Sequence, residues 1–420
     1  MLALRGGTPV RDAGKFPWPE WPIWDSSEHT RLKHILESGI WSYSGPAEKT
    51  CLEHLQEYFD GAMPVLVANG TVSLQLALEA LDIGYGDEVI VPGLTWQATA
   101  AAVLDVNAIP VLVDIDPHTW CIDTKLCEQA ITEKTKAIIP VHLYGGTADM
   151  TALRSIARQH GLFLIEDASH KHGAEWEGKK VGTLGDIGSF SLQMSKILTC
   201  GEGGILFTHD QNYWERLEAL RNCGRKSRNL ITDATGGLYG EEGDFIQSGN
   251  YRITEFQAGV LIEQLARLDI QNAKREENVL YLDQLLTECA PISPMYRDPR
   301  ETRRAFFNYS FRYDAEELGV PTKVFREALS AELGIPFEAS YQPLTNCSLY
   351  RPLTKRRYAL SAEHLEKINP QRFVLPVCNM VYESTSVVFH HKFLMGSKSD
   401  MEEIALACRK VIANKNELRT

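Results

Sequence analysis

The chain has 420 residues, a formal net charge of −12, 44% hydrophobic residues and 23% charged residues. That length exceeds what one core usually serves and predicts two domains, and the acidic balance argues against nucleic acid or an anionic membrane surface as a partner. No apolar run approaches the roughly 20 residues of a membrane-spanning helix, and the opening Met1-Leu2-Ala3-Leu4-Arg5-Gly6-Gly7 lacks the apolar core of a signal peptide.

Nine scattered cysteines, with no C-x-x-C pair, read as the reduced thiols of a cytoplasmic protein. Residues 1–45 are expected to form an irregular arm packed on the body, because Phe16-Pro17-Trp18-Pro19-Glu20-Trp21-Pro22 holds three prolines that forbid a regular helix. From about 64 to 210, short apolar runs alternate with helical stretches. Residues 64–68, 88–91, 110–113, 137–141 and 162–165 read as strands. Helices are expected from Gly70, around 97–106, near 125–131 and over 150–160. Two more short runs follow at 187–192 and 204–207. Continuously apolar strands alternating with helices predict an α/β domain whose mostly parallel sheet is covered on both faces.

Near Arg252 a long helical stretch begins, with Phe256, Val260, Leu261, Leu265 and Leu268 on its apolar side. It suits a link between a large and a small domain. Strand-like pieces at 306–313 and 386–390 and a closing helix over 399–412 predict a small α+β domain. The expected division is an arm at 1–45, a large domain at 46–270, and a linking helix with the small domain at 271–420.

Lys196 lies at the end of Ser191-Leu192-Gln193-Met194-Ser195-Lys196, just before Gly201-Glu202-Gly203-Gly204, and Asp167 closes the strand-like run Leu162-Phe163-Leu164-Ile165-Glu166-Asp167. The two together suit pyridoxal phosphate (PLP). A lysine forms a Schiff base with the cofactor aldehyde, and a carboxylate keeps the pyridine nitrogen protonated so that the ring accepts electrons. A single lysine is usually a solvated surface residue; the flanking glycines and Ser191, whose hydroxyl suits a phosphate, argue against that here.

Asn69-Gly70-Thr71 is a strand–turn–helix junction. Taken alone it is an ordinary turn with Thr71 as N-cap. Beside Lys196 and Asp167 it reads as a phosphate site, with Gly70 admitting the anion to the first helical N–H groups. Trp96, in Pro92-Gly93-Leu94-Thr95-Trp96, either packs in the core or stacks on a flat ring. Asp167, His170 and His172 could ligate a metal, but no further cluster has metal-ligand spacing, and His170 reads better as a brace for the cofactor. Asn250 and Arg252 precede the long helix, in a loop that either caps it through Thr254 or contributes to a site. His390-His391 is disfavoured as a metal pair, because adjacent residues on a strand point to opposite faces.

In order and spacing these motifs resemble the DegT/StrS-type sugar aminotransferases, a branch of the fold-type I PLP enzymes, along nearly the whole chain. The resemblance rests on Asn69-Gly70-Thr71, Val91-Pro92-Gly93-Leu94-Thr95-Trp96, Glu166-Asp167-Ala168-Ser169-His170, Ser191 to Lys196, and Gly249-Asn250-Tyr251-Arg252-Ile253-Thr254-Glu255-Phe256-Gln257. It implies that Lys196 binds PLP, that Asp167 pairs with the pyridine nitrogen, and that Trp96 stacks on the ring. It further implies that His170 lies near the ring's phenolic oxygen and that Gly70, Thr71 and Ser191 hold the phosphate. Asn250 would come from the partner subunit, which implies a homodimer with shared active sites. Arg252 suits the α-carboxylate of an amino donor.

Within the family the chain is similar to antibiotic-pathway enzymes that use glutamine to aminate inosose-type cyclitol ketones. The opening Leu4-Arg5-Gly6-Gly7-Thr8-Pro9-Val10-Arg11 and the segment Lys196-Ile197-Leu198-Thr199-Cys200-Gly201 carry that likeness. Lys196 argues against a related dehydratase branch that replaces the lysine with histidine. The alternatives are a nucleotide keto-sugar aminotransferase, an aminohydroxybenzoate synthase-like dehydratase/aromatase and a non-catalytic PLP-binding protein.

Overall fold

The computed structural model describes residues 1–225 and 246–418. Its centre is a seven-stranded sheet of β1 (Met63–Val67), β2 (Glu88–Pro92), β3 (Ile109–Val113), β4 (Thr135–Ile138), β5 (Phe163–Asp167), β6 (Ile187–Ser191) and β7 (Gly204–Thr208). The strand order is β1-β7-β6-β5-β4-β2-β3. Strand β7 is antiparallel to both of its neighbours, and every other neighbouring pair is parallel. This is the mostly parallel α/β sheet that the continuous apolar runs predict.

Alternation along each strand sorts the apolar residues into two layers. Val65, Val67, Val89, Val91, Ile165 and Leu206 pack on one face, with the helices Gly70–Ala80 and Ala98–Asp105. Leu66, Ile90, Ile138, Leu164, Phe190 and Phe207 pack on the other, with Pro46–Tyr58, Met150–His160 and the first half of the long helix Glu255–Thr287.

The long helix changes core along its length. Leu261, Leu265 and Leu268 belong to the sheet's second layer, whereas Val279, Leu282 and Leu286 belong to a third core. That third core also holds Tyr309, Phe311, Val387 and Phe389. It is built on an antiparallel sheet of β8 (Ile292–Pro294), β9 (Asn308–Tyr313) and β10 (Ser386–His390), backed by the helices Thr322–Leu333 and Lys398–Ala413. The expected boundary after residue 270 therefore falls inside one continuous helix. We keep the division into arm, large and small domains as a proposal, with this helix shared by the two bodies.

The amino-terminal segment differs from the expectation of an irregular arm. Residues Ser26–Ser38 form a helix, opened by a reciprocal capping box in which Asp25 accepts from Ser27 N–H and Glu28 accepts from Asp25 N–H. The prolines end at Pro22, so they restrict only what precedes this helix. Residues 1–18 are tied to the carboxyl-terminal body. Leu2 is fully buried, Arg11 pairs with Asp400 at 2.6 Å, and Trp18 donates to the Leu333 carbonyl at 2.9 Å. Among the described residues no helix is long and apolar enough to cross a membrane, and all nine cysteines are free.

Candidate active site

In a parallel sheet, side chains and helix N-termini converge beyond the carboxyl ends of the strands. Here the ends of β1, β2, β5 and β6 surround a cavity of about 400 Å³. Gly70, Thr71, Trp96, Asp167, His170, Ser191 and Lys196 all line it. Seven of the nine residues expected at the site thus meet in one place.

Asp167 ends β5 almost fully buried. Its Oδ2 accepts from Thr99 Oγ1 at 2.9 Å, and its Oδ1 accepts from Ser169 N–H at 3.3 Å. Thr95 Oγ1 lies 2.9 Å from Thr99 Oγ1, so with Thr99 donating to the carboxylate, Thr95 donates to Thr99. The neighbouring Glu166 points to the other side of the strand end. It accepts from the backbone N–H groups of Gly182, Leu184 and Gly185 at 2.6–2.8 Å and so anchors the turn that feeds β6.

Lys196 sits in a turn closed by its own N–H to the Gln193 carbonyl at 2.8 Å. Desolvation by the surrounding walls pulls its amine down to about 8, and the charge of Asp167 partly opposes that shift. Its Nζ lies 4.2 Å from the centroid of the Phe307 ring.

His170 is buried, with its ring stacked on Phe307 at 4.1 Å between centroids. Its Nδ1 accepts from Tyr144 N–H at 3.1 Å, so the proton of the neutral ring is on Nε2. Burial, reinforced by the positive charge of Lys196, holds the ring well below the ordinary histidine range. His172 turns away and donates Nε2–H to the Ser191 carbonyl at 2.9 Å. Among the described residues no group of three or more His, Cys, Asp or Glu side chains is placed to hold a metal.

The turn after β1 depends on a glycine. A Cβ on Gly70 would stand 2.8 Å from Ser191 Cβ, so only glycine lets the helix start and the end of β6 close on the same small space. Asn69, not Thr71, caps the helix, by accepting from Val72 N–H at 2.9 Å. Thr71 and Ser191 both stand at the cavity wall. A small cradle with two hydroxyls, a buried carboxylate and a desolvated amine fits PLP.

Trp96 stands at the rim, 47% exposed, with Tyr341 5.7 Å from its ring. Asn250 and Arg252 do not line this chain's own cavity. Asn250 makes a bridge to Asn222, and Arg252 donates to Asn222 Oδ1 at 2.6 Å with its guanidinium 4.2 Å from the Tyr43 ring.

Sequence reasoning missed Thr99, Phe307 and Tyr341. Thr99 had a legible signal, a hydroxyl one helical turn from Thr95 in an alanine-rich helix. Phe307 and Tyr341 had none, since both come from the far half of the chain.

A buried amine and carboxylate at the carboxyl end of an α/β sheet define a site for covalent carbonyl chemistry of the aminotransferase kind. Residues 22–391 match the DegT/DnrJ/EryC1/StrS aminotransferase family, and the chain belongs to it. An L-glutamine:2-deoxy-scyllo-inosose aminotransferase of Streptoalloteichus tenebrarius is 44% identical, over all of this chain and 99% of its own. An L-glutamine:scyllo-inosose aminotransferase of Streptomyces griseus is 42% identical over 99% of each chain. Among solved structures, 3-amino-5-hydroxybenzoic acid synthase superposes with a TM-score of 0.79 at 30% identity, covering 94% of this chain and 98% of that one. The aminotransferase from Psychrobacter cryohalolentis superposes with a TM-score of 0.81 at 27% identity, covering 95% and 99%. The protein is an enzyme, an aminotransferase of this family.

Proposed function

We propose that this aminotransferase moves an amino group from glutamine to a cyclic polyol ketone, scyllo-inosose or its 2-deoxy form, with PLP held by Lys196. When bound, PLP supplies an aldehyde that a lysine captures and a ring that delocalises electrons. Lys196 provides the amine and carries protons to and from the reacting carbon. Asp167, oriented by Thr99, holds a proton on the pyridine nitrogen. His170, with its proton on Nε2, is placed as a hydrogen-bond donor to the phenolic oxygen. Gly70, Thr71 and Ser191 receive the phosphate, and Trp96 covers the ring.

The observation that carries the acceptor class is a second cavity, of about 440 Å³, which shares Thr95, Trp96 and Tyr341 with the first. Its polar lining includes Asn308, Glu338, Ser340, Gln342 and Ser348, and among the described residues no lysine or arginine lines it. Neutral groups and one carboxylate suit the hydroxyls of an uncharged ring and disfavour a diphosphate. The names of relatives matching over whole chain lengths support the same acceptor and glutamine as the donor.

The test compares scyllo-inosose and 2-deoxy-scyllo-inosose with a nucleotide-linked keto-hexose, glutamine being the donor. The cyclitol is expected to have the higher kcat/KM. A preference for the nucleotide sugar by about tenfold, worth roughly 1.4 kcal/mol, would overturn the acceptor and leave the aminotransferase intact. An aromatised product would instead point to chemistry like that of the aminohydroxybenzoate synthase.

The working form we propose is a cytoplasmic homodimer with shared sites. Asn250 and Arg252, placed outside their own chain's cavity, support this, Asn250 reaching the neighbour's phosphate and Arg252 the donor's carboxylate. The exposed Trp24, Trp41 and Met194 support it as apolar surface suited to a partner. The free cysteines support the compartment. Mixing Lys196→Ala and Asn250→Ala protomers is expected to restore activity that neither has alone, because one site of each mixed dimer would hold both native residues. Confirmed subunit exchange without recovered activity would sink the shared site.

A further inference from the structure

Residues from two distant parts of the chain grip the turn that carries Lys196 from outside the cavity. Trp21, in the amino-terminal arm, donates Nε1–H to the Met194 carbonyl at 3.0 Å. His390 and His391 place their Nε2 atoms 3.2 and 2.9 Å from one acceptor, the Ser195 carbonyl oxygen of the Ser195–Lys196 peptide. Strand alternation predicts opposite directions for these two rings, and the structure corrects that. Strand β10 ends at His390, and His391 begins a 3-10 turn, His391–Met395, which brings the rings to 4.2 Å between centroids.

The tautomer of each ring is fixed by a group that can only donate. Arg275 Nε–H reaches His391 Nδ1 at 3.2 Å, and Lys392 N–H reaches His390 Nδ1 at 3.2 Å. Each Nδ1 is thus an acceptor, so each Nε2 carries the proton and donates to Ser195. The two donors occupy both lone pairs of one carbonyl. Burial keeps both rings neutral, His390 at about 4 and His391 well below the ordinary range.

Arg275 is an unusual residue to bury. It is fully buried on the long helix, with its guanidinium 5.0 Å from the Trp21 ring. Its other partners are Asn272 Oδ1 at 3.1 Å and Gln271 Oε1 at 3.4 Å, and among the described residues no carboxylate pairs with it. A buried arginine without a carboxylate is costly; its bonds to Asn272 and Gln271 and the Trp21 ring offset part of that cost, and its Nε–H goes to orienting His391.

We propose that His390 and His391, with Arg275 dictating the tautomer of His391, are positioning residues that hold the Ser195–Lys196 peptide and so fix where the Lys196 amine enters the cavity. None of the three lines the cavity, so they act through the backbone. This inference rests on the proposed role of Lys196.

The test compares the wild type with His391→Leu, which has no donor, His391→Gln, whose amide can donate from the place of Nε2, and Arg275→Met. Amide exchange over residues 192–197 is followed in the cofactor-free proteins, and the visible spectrum, kcat and KM for glutamine in the PLP-loaded ones. In His391→Leu we expect faster exchange at 192–197, a shifted visible band and kcat lower by about tenfold or more at little-changed KM, since small misplacements of a reacting group are expensive. His391→Gln is expected to recover most of each signal, and Arg275→Met to fall between.

A His391→Leu protein that matches the wild type overturns the proposal. So does a His391→Gln protein as damaged as the leucine variant, because the donor would then not be what matters. If His391→Leu does not fold, His390→Leu against His390→Gln makes the same comparison. Borohydride reduction and peptide mapping of the wild type separates the two layers. Cofactor fixed on another lysine overturns the role of Lys196 and this inference with it. Cofactor on Lys196 together with a normal His391→Leu protein overturns this inference alone.

Discussion

Lys196→Ala is expected to leave a folded protein with no absorbance band of lysine-linked PLP, no cofactor fixed by borohydride and no measurable amino transfer. The side chain lines the cavity and belongs to none of the three hydrophobic cores, so stability should hardly change. Its loss removes both the covalent attachment and the group that carries the proton, and general acid–base catalysis alone contributes roughly 10²–10⁴-fold. The wild type offers a companion test through pH. Desolvation brings the amine down to about 8, so in the cofactor-free protein it is half neutral there instead of above pH 10. The neutral amine is the form that attacks an aldehyde. Reconstitution with PLP should therefore speed up as pH rises through about 8 and level off above it. A visible band and borohydride-stable cofactor retained in Lys196→Ala would show that another lysine holds the group.

Asp167→Asn should have the second largest effect. The amide keeps the shape and the acceptor for Thr99 Oγ1, now 2.9 Å away, but removes the charge that would hold a proton on the pyridine nitrogen. Leaving one member of a buried ion pair without its partner costs about 3–5 kcal/mol. That corresponds to roughly two to four orders of magnitude in PLP affinity, turnover or their product. A second readout is independent of catalysis. The charge of Asp167 props up the Lys196 amine, so its removal should move the pH profile of reconstitution below about 8. Near-normal turnover and an unmoved profile would assign the pyridine contact to another group.

The two variants also show which parts of the site were legible. Asp167 ends a strand and Lys196 lies in the turn after one, and continuous apolar runs that give way to polar or glycine-rich turns mark such places in the sequence itself. Gly70 was legible for the same reason, since a strand–glycine–helix junction is a local pattern with a local consequence. The cap of that helix is less legible, because Asn69 and Thr71 are both able to cap and only the backbone geometry chooses Asn69. The helix Ser26–Ser38 was missed because prolines nearby drew the reading toward irregular structure, although its capping box, Asp25 with Glu28, was in plain view.

By itself the sequence determined the α/β layering, the mostly parallel sheet and the four segments whose ends surround the Lys196 cavity. These follow from side-chain periodicity and turn chemistry, which act over a few residues. Only the tertiary structure decided what surrounds Lys196 from afar: Phe307 under its amine, Tyr341 between the two cavities, and Trp21, His390, His391 and Arg275 behind its turn. The His390-His391 pair marks the limit. Alternation holds while a strand continues, and where β10 stops was settled by its packing and by the 3-10 turn after it. Contacts between residues hundreds of positions apart depend on how whole layers dock, and no local period encodes that.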